Sequence, residues 1–180
     1  MTRSISRRAG FAALTLLLCT AFTGRAYAQS NTPKFLKITA VAPKTVTPGK
    51  PFAVAVTLTI AAPYHIQANP TTRDYVATEV SVGAVKGMAA GKTRYPKGME
   101  TTLQGETLSV YEGAVNVMVT VTPDRTLKPG KITLPVTVHY QGCNDRVCYR
   151  PTDMQTTVVL MVGKPLGPPR HMRSKKAATL

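Results

Sequence analysis

Phe52, Val54, Val56, Leu58 and Ile60 alternate with Ala53, Ala55, Thr57 and Thr59. A period of two puts successive side chains on opposite faces, so this run predicts a half-buried strand. The same alternation returns in Val115, Val117, Val119 and Val121, and again in Ile132, Leu134, Val136, Val138 and Tyr140. Weaker runs over residues 35–42, 77–85 and 156–162 bring the expected strands to six or seven, with turn residues between them. Pro48-Gly49 and Pro129-Gly130 stand just ahead of two strands, where proline presets φ and glycine accepts a positive φ. Neither a helical period nor a long repeat follows the first 28 residues. The pattern therefore predicts an all-β fold, an immunoglobulin-like antiparallel β-sandwich.

The amino terminus departs from this pattern. Arg3, Arg7 and Arg8 precede an apolar run over residues 9–22, and Ala26-Tyr27-Ala28 follows. A charged start, an apolar stretch too short to span a bilayer comfortably and a small-x-small ending predict a secretion signal over residues 1–28, cleaved after Ala28. The expected location is the periplasm. Leu18 is bulkier than the small residue that a lipid anchor at Cys19 requires, and Ser6-Arg7-Arg8 fits a twin-arginine signal only in part, so ordinary secretion is the simpler reading. Residues 29–163 suit one domain with enough chain to bury a core. No later apolar run approaches the roughly 20 residues of a membrane helix. From Gly163 onward prolines and cations replace apolar periodicity, and residues 164–180 are expected to form a disordered basic tail.

Four of the 23 lysines and arginines fall within residues 1–28, which leaves 19 against 8 acids and a net charge of +11. The cations are scattered from Lys34 to Lys176 rather than gathered in a stripe, which argues against nucleic acid as a partner. A solvated basic surface remains, with a weak, salt-screened attraction to acidic partners or an anionic membrane surface. The protein is expected to be a monomer. Glu100, Glu106 and Glu112 lie in a glycine-rich stretch without a partner histidine or a nucleophilic serine motif, so hydrolase chemistry has no support. His65, His139 and His171 show no usual metal-ligand spacing with one another or with the cysteines, so neither a metal nor another cofactor is expected.

Beyond the signal only Cys143 and Cys148 remain, within Tyr140-Gln-Gly-Cys-Asn-Asp-Arg-Val-Cys-Tyr-Arg-Pro151. In an oxidising compartment they should pair. A structural staple is one reading of that bond, yet so short a ring removes only about 2 kcal/mol of unfolded-chain entropy in the loop model, less than a bridge between sheets would. The other reading is exchange. Gly142 allows close backbone approach and Asn144-Asp145 favour a turn, which leaves one sulfur open to an incoming thiolate. Arg146 and Arg150 would favour a thiolate there, and Asp145 would oppose them.

Tyr140-Gln141-Gly142-Cys143, Asp145, Cys148-Tyr149 and Pro151 resemble the active-site segment of the amino-terminal domain of the thiol:disulfide interchange protein DsbD. Pro63-Tyr64-His65-Ile66-Gln67-Ala68-Asn69-Pro70 is similar to the entry of that domain, and Leu108-Ser109-Val110-Tyr111-Glu112-Gly113 to its middle, so the likeness spans about residues 35–162. The resemblance implies an immunoglobulin-like component of a protein-disulfide reductase system. It would take reducing equivalents from a membrane thiol reductase and exchange them with thioredoxin-like envelope proteins. By position, Cys148 would form the mixed disulfides and Cys143 would resolve them. Four residues separate the cysteines, a shorter gap than in the best-known member. That family covers its cysteines with a cap loop bearing an aromatic side chain. The counterpart at residues 99–108 has no aromatic residue and offers Met99, Leu103 or Leu108 as an apolar lid. The family's membrane-spanning and thioredoxin-like domains have no counterpart here, which casts this chain as the carrier alone. A non-catalytic binding or scaffold module with an inert disulfide is the competing reading.

The candidate site therefore comprises Cys143 and Cys148, with His65, Gln67, Met99, Leu103, Tyr140, Asp145 and Tyr149 as pocket or cap residues. His65 and Gln67 flank Ile66 on an expected strand and share one face, which either lines the cysteine pocket or meets solvent. His139 projects opposite Val138 and Tyr140 and is expected to be exposed.

Overall fold

The computed structural model describes residues 34–72, 74–103 and 105–164. The expected secretion signal, and the expected tail beyond Lys164, lie outside the described residues. The alternating runs become the longest strands, because each buries one row of side chains and satisfies its backbone groups through two neighbours. In chain order the strands are β1 (Leu36–Val41), β2 (Thr45–Val46), β3 (Phe52–Ile60), β4 (His65–Gln67), β5 (Glu79–Val82) and β6 (Met88–Arg94). They continue with β7 (Met99–Leu103), β8 (Glu106–Tyr111), β9 (Gly113–Pro123), β10 (Gly130–Tyr140), β11 (Gly142–Cys143) and β12 (Thr152–Val162). No helix occurs among the described residues.

One sheet has the order β1-β3-β9-β6 and a second the order β2-β12-β10-β5, antiparallel throughout except where β2 runs parallel to β12. The inward rows interlock into one core, with Val54, Val56 and Leu58 of β3 and Val117, Val119 and Val121 of β9 on one side. Leu134, Val136 and Val138 of β10 and Val158 and Leu160 of β12 lie on the other. Each fully buried aliphatic side chain contributes on the order of 1.5–3 kcal/mol against exposure. The fold is an immunoglobulin-like β-sandwich, as the alternation predicted. The turn read from Pro48-Gly49 is present: Lys50 N–H donates to the Thr47 carbonyl at 3.1 Å, and Gly49 has φ +73°.

A third antiparallel sheet, β11-β4-β8-β7, forms where the chain leaves the ends of β3 and β10. Ile66, Ala68 and Tyr111 join it to the common core. Its outer half differs from expectation. Residues 99–108, read as a cap loop, form the β7–β8 hairpin, in which Leu103 pairs with Glu106 and Gly105 takes φ +84°. Glycine at that point relieves the steric cost of a left-handed turn residue, so the segment closes as a tight hairpin. Strand β6, with the sequence Met-Ala-Ala-Gly-Lys-Thr-Arg, also escaped the alternation test. It is a mostly exposed edge strand with no inward apolar row.

Candidate functional site

Strand β11 continues from β10 after Gln141 and then turns sharply. The Asn144 side-chain oxygen accepts from the backbone N–H groups of Arg146 and Val147, both at 2.9 Å, and Asn144 N–H donates to the Val147 carbonyl at 3.0 Å. Tyr149 N–H then donates to the Gly142 carbonyl at 2.8 Å. These bonds fold the segment back on itself and set Cys148 opposite Cys143. The two are joined by a disulfide with a Cα–Cα distance of 4.0 Å. Gly142 is required by its surroundings, because a Cβ there would overlap the ring of Phe35.

Phe35 anchors an aromatic cluster behind the disulfide. It stacks on Tyr64 with ring centroids 4.5 Å apart and meets Tyr140 edge-on at 6.0 Å. Tyr149 lies 6.2 Å from Phe35, and its hydroxyl accepts from the Asn144 side-chain amide at 3.0 Å. Burial pushes the Tyr140 hydroxyl above its ordinary pKa, as partial desolvation does for Tyr149. Phe35 was not among the residues singled out from the sequence; the steric demand of Gly142 was the one signal pointing to a bulky neighbour. Gln141 ties the ring to the segment ahead of β5 and to its own closing end. Its side-chain oxygen accepts from Val76 N–H at 3.0 Å, and its amide donates to the Tyr149 carbonyl at 3.3 Å.

On the opposite face of the third sheet the structure brings His65 and Gln67 to Cys143. Pairing of β11 with β4 sets Cys143 directly across from His65. The Gln67 side-chain nitrogen lies 3.5 Å from Cys143 Sγ. Strand β4 is buried on both faces, so the solvated-face reading of His65 and Gln67 is incorrect: they are 6% and 0% exposed. Ile66 faces the common core, and on the other face Gln67 meets Cys143 Sγ and the Thr71 hydroxyl. Burial lowers the pKa of His65, with weaker opposing pulls from Glu112 and Asp145, and its Nε2 is buried without a hydrogen-bond partner.

The two sulfurs have different surroundings. Cys143 is 0% exposed, whereas Cys148 is partly exposed and lines a cleft of about 360 Å3. Tyr75, Leu103, Glu106, Arg146 and Val147 complete the lining. Of the three lid candidates, Leu103 reaches this cleft. Leu108 points from β8 into the interior and is buried, and Met99 is 53% exposed. An aromatic ring does border Cys148, but Tyr75 supplies it from the segment between β4 and β5, and its hydroxyl lies 3.4 Å from a Glu106 oxygen. Asp145 sits exposed at the tip of the turn. His139 is away from the site, on the outer face of β10, paired with Asp153 at 2.6 Å.

Residues 32–160 match the family model described as thiol:disulfide interchange protein DsbD, N-terminal. No curated protein sequence gives a significant match. Among solved structures, the chain is similar to the N-terminal periplasmic domain of ScsB from Proteus mirabilis. The identity is 15% over 70% of this chain and 47% of that one, with a TM-score of 0.51. It is also similar to the DsbD N-terminal domain of Neisseria meningitidis in the reduced form, at 20% identity over 71% of this chain and 89% of that one, with a TM-score of 0.45. The likeness to the ScsB domain speaks to the fold alone.

Proposed function

Since the chain belongs to the DsbD N-terminal family of thiol:disulfide interchange proteins, we propose that it is a periplasmic carrier passing reducing equivalents through Cys143 and Cys148. The donor would be a membrane-linked thiol reductase with a thioredoxin-like face, and the acceptors other envelope proteins. Family membership and the Cys143–Cys148 disulfide support thiol–disulfide exchange itself. The observation that supports the division of labour is the asymmetry of the two sulfurs, one facing a cleft and the other enclosed. An attacking thiolate reaches only a sulfur it can approach in line. It would bond to Cys148 Sγ and break the disulfide, and the electron pair would leave on Cys143 Sγ. A second partner thiol then releases Cys148, so the carrier gains two electrons and two protons while the partner becomes a disulfide. Three arginines ahead of a short apolar run, the sequence pattern expected of a secretion signal, support the periplasmic location.

Single-cysteine variants test this reading. Cys143→Ser should trap a mixed disulfide with an envelope thioredoxin-like protein on non-reducing gels, because the resolving sulfur is gone, and Cys148→Ser should trap little. A redox titration of the wild-type protein provides the second arm. A potential well below about −300 mV, with no trapped species, would mark an inert structural bond and reject the carrier.

A further inference from the structure

Breaking the disulfide as proposed leaves a charge in an unfavourable place. The electron pair departs on Cys143 Sγ, which is enclosed, and burial without compensation disfavours a thiolate strongly. A leaving thiol that is hard to ionise also leaves slowly. The structure supplies a donor at that atom. Gln67 is 0% exposed, and its side-chain nitrogen lies 3.5 Å from Cys143 Sγ. A disulfide sulfur has no hydrogen to give, so the amide must present N–H to it and not its oxygen. Thr71 holds that orientation by donating its hydroxyl to Gln67 Oε1 at 3.2 Å. The backbone behind the side chain is fixed as well: Gln67 N–H donates to the Gln141 carbonyl at 3.0 Å, and the Thr78 hydroxyl and N–H both donate to the Gln67 carbonyl.

We propose that Gln67 is a catalytic residue of the exchange reaction, its amide N–H stabilising the thiolate that develops on Cys143 when a partner attacks Cys148. The inference rests on the carrier reading and deepens it. A hydrogen bond to a neutral disulfide sulfur is weak, whereas the same bond to a thiolate is charge-assisted and much stronger. The contact therefore favours the state with the disulfide opened over the ground state, which is the condition for accelerating the step. The same stabilised thiolate is the nucleophile in the return direction, when Cys143 attacks Cys148 Sγ and expels a bound partner's thiolate. His65, across the strand pair from Cys143 and with a buried unpartnered Nε2, leaves the enclosure polar on a second side. An enclosure built only to shield an inert bond has no use for a buried amide donor at one sulfur and a buried imidazole across the strand pair from it.

The test uses dithiothreitol as the attacking thiol and three forms of the full chain: wild type, Gln67→Met and Thr71→Val. Methionine keeps the length of the side chain and removes the N–H donor. The expected rate of disulfide reduction is about tenfold lower in Gln67→Met, the loss typical of one charge-assisted hydrogen bond, with Thr71→Val in between. In a Cys148→Ser background the Cys143 thiol, followed through its Cβ chemical shift, should titrate about one pH unit higher when Gln67→Met is added. Rates and titrations within twofold and a few tenths of a pH unit of wild type would overturn the proposal while leaving the carrier reading standing. Should Gln67→Met fail to fold, Thr71→Val decides on the same two readouts. A wild-type disulfide inert to dithiothreitol would overturn the carrier reading and the role of Gln67 together.

Discussion

In the two large sheets the buried positions are aliphatic almost without exception, as in the Val54, Val56 and Leu58 row of β3 and the Leu134, Val136 and Val138 row of β10. In the third sheet His65, Gln67 and Cys143 are buried beside Ile66, Leu108 and Val110. The first arrangement depends on area removed from water and on close packing, which tolerate exchange among similar side chains. The second depends on directed bonds, many of them from side chain to backbone. Tyr111 shows the contrast within one residue: its ring joins the core, while its hydroxyl donates to the Pro96 carbonyl at 2.9 Å and accepts from Asn69 N–H at 3.1 Å. The sandwich is thus an aliphatic base, and the small sheet is a polar device mounted on it.

Substitutions in each region should separate stability from exchange. The largest stability loss is expected from Leu134→Ala, which empties a site 0% exposed in β10 and should cost about 2–5 kcal/mol in urea denaturation. The reduction rate of the molecules still folded should stay within about twofold of wild type, since the side chain is remote from the third sheet. An equal loss of exchange rate would show that the two regions are one cooperative unit. Gly142→Ala should cost about 1–3 kcal/mol, because the new methyl meets the Phe35 ring, and it should also change the reduction rate by moving Cys143. Unaltered kinetics with unaltered stability would mean that the ring yields freely. Tyr111→Phe keeps the ring and deletes the hydroxyl, for an expected loss of about 1–2 kcal/mol measured by the same denaturation.

The smallest expected effect is a pH dependence. Burial holds the pKa of His65 below its ordinary 6.5. Between that lowered value and 6.5 the unfolded chain binds more protons than the folded one, so stability present above pH 6.5 should be lost as the pH falls through this window and then level off. Denaturation midpoints at about pH 7.5 and about pH 5.5 should differ in that direction for wild type and less so for His65→Gln. A difference of the same size in the variant would assign the dependence to another group.

The hairpin β7–β8 shows why part of the fold was hidden in the sequence. Its segment, Met99-Glu-Thr-Thr-Leu-Gln-Gly-Glu-Thr-Leu108, has too few apolar residues to stand out by period, and only Gly105 marks the turn. Strands β3, β9 and β10 were plain because each buries a full row against the core. The cysteine ring was legible for a similar reason, since Gly142, Asn144 and the two cysteines act through neighbours within a few residues. Phe35 and Tyr75 were not, because each reaches the site from a distant part of the chain.

The sequence by itself determined the all-β class, the main strands, the paired thiols and the family, all of which rest on local period or on short contiguous motifs. Only the tertiary structure decided that Cys143 is enclosed and Cys148 borders a cleft, that both faces of β4 are covered, and that Gln67 points its amide at a sulfur. A period of two says which residues share a face. Whether that face meets water, a core or a disulfide depends on residues that arrive from elsewhere, here Cys143 of β11 and Thr71 of the segment after β4, both against Gln67.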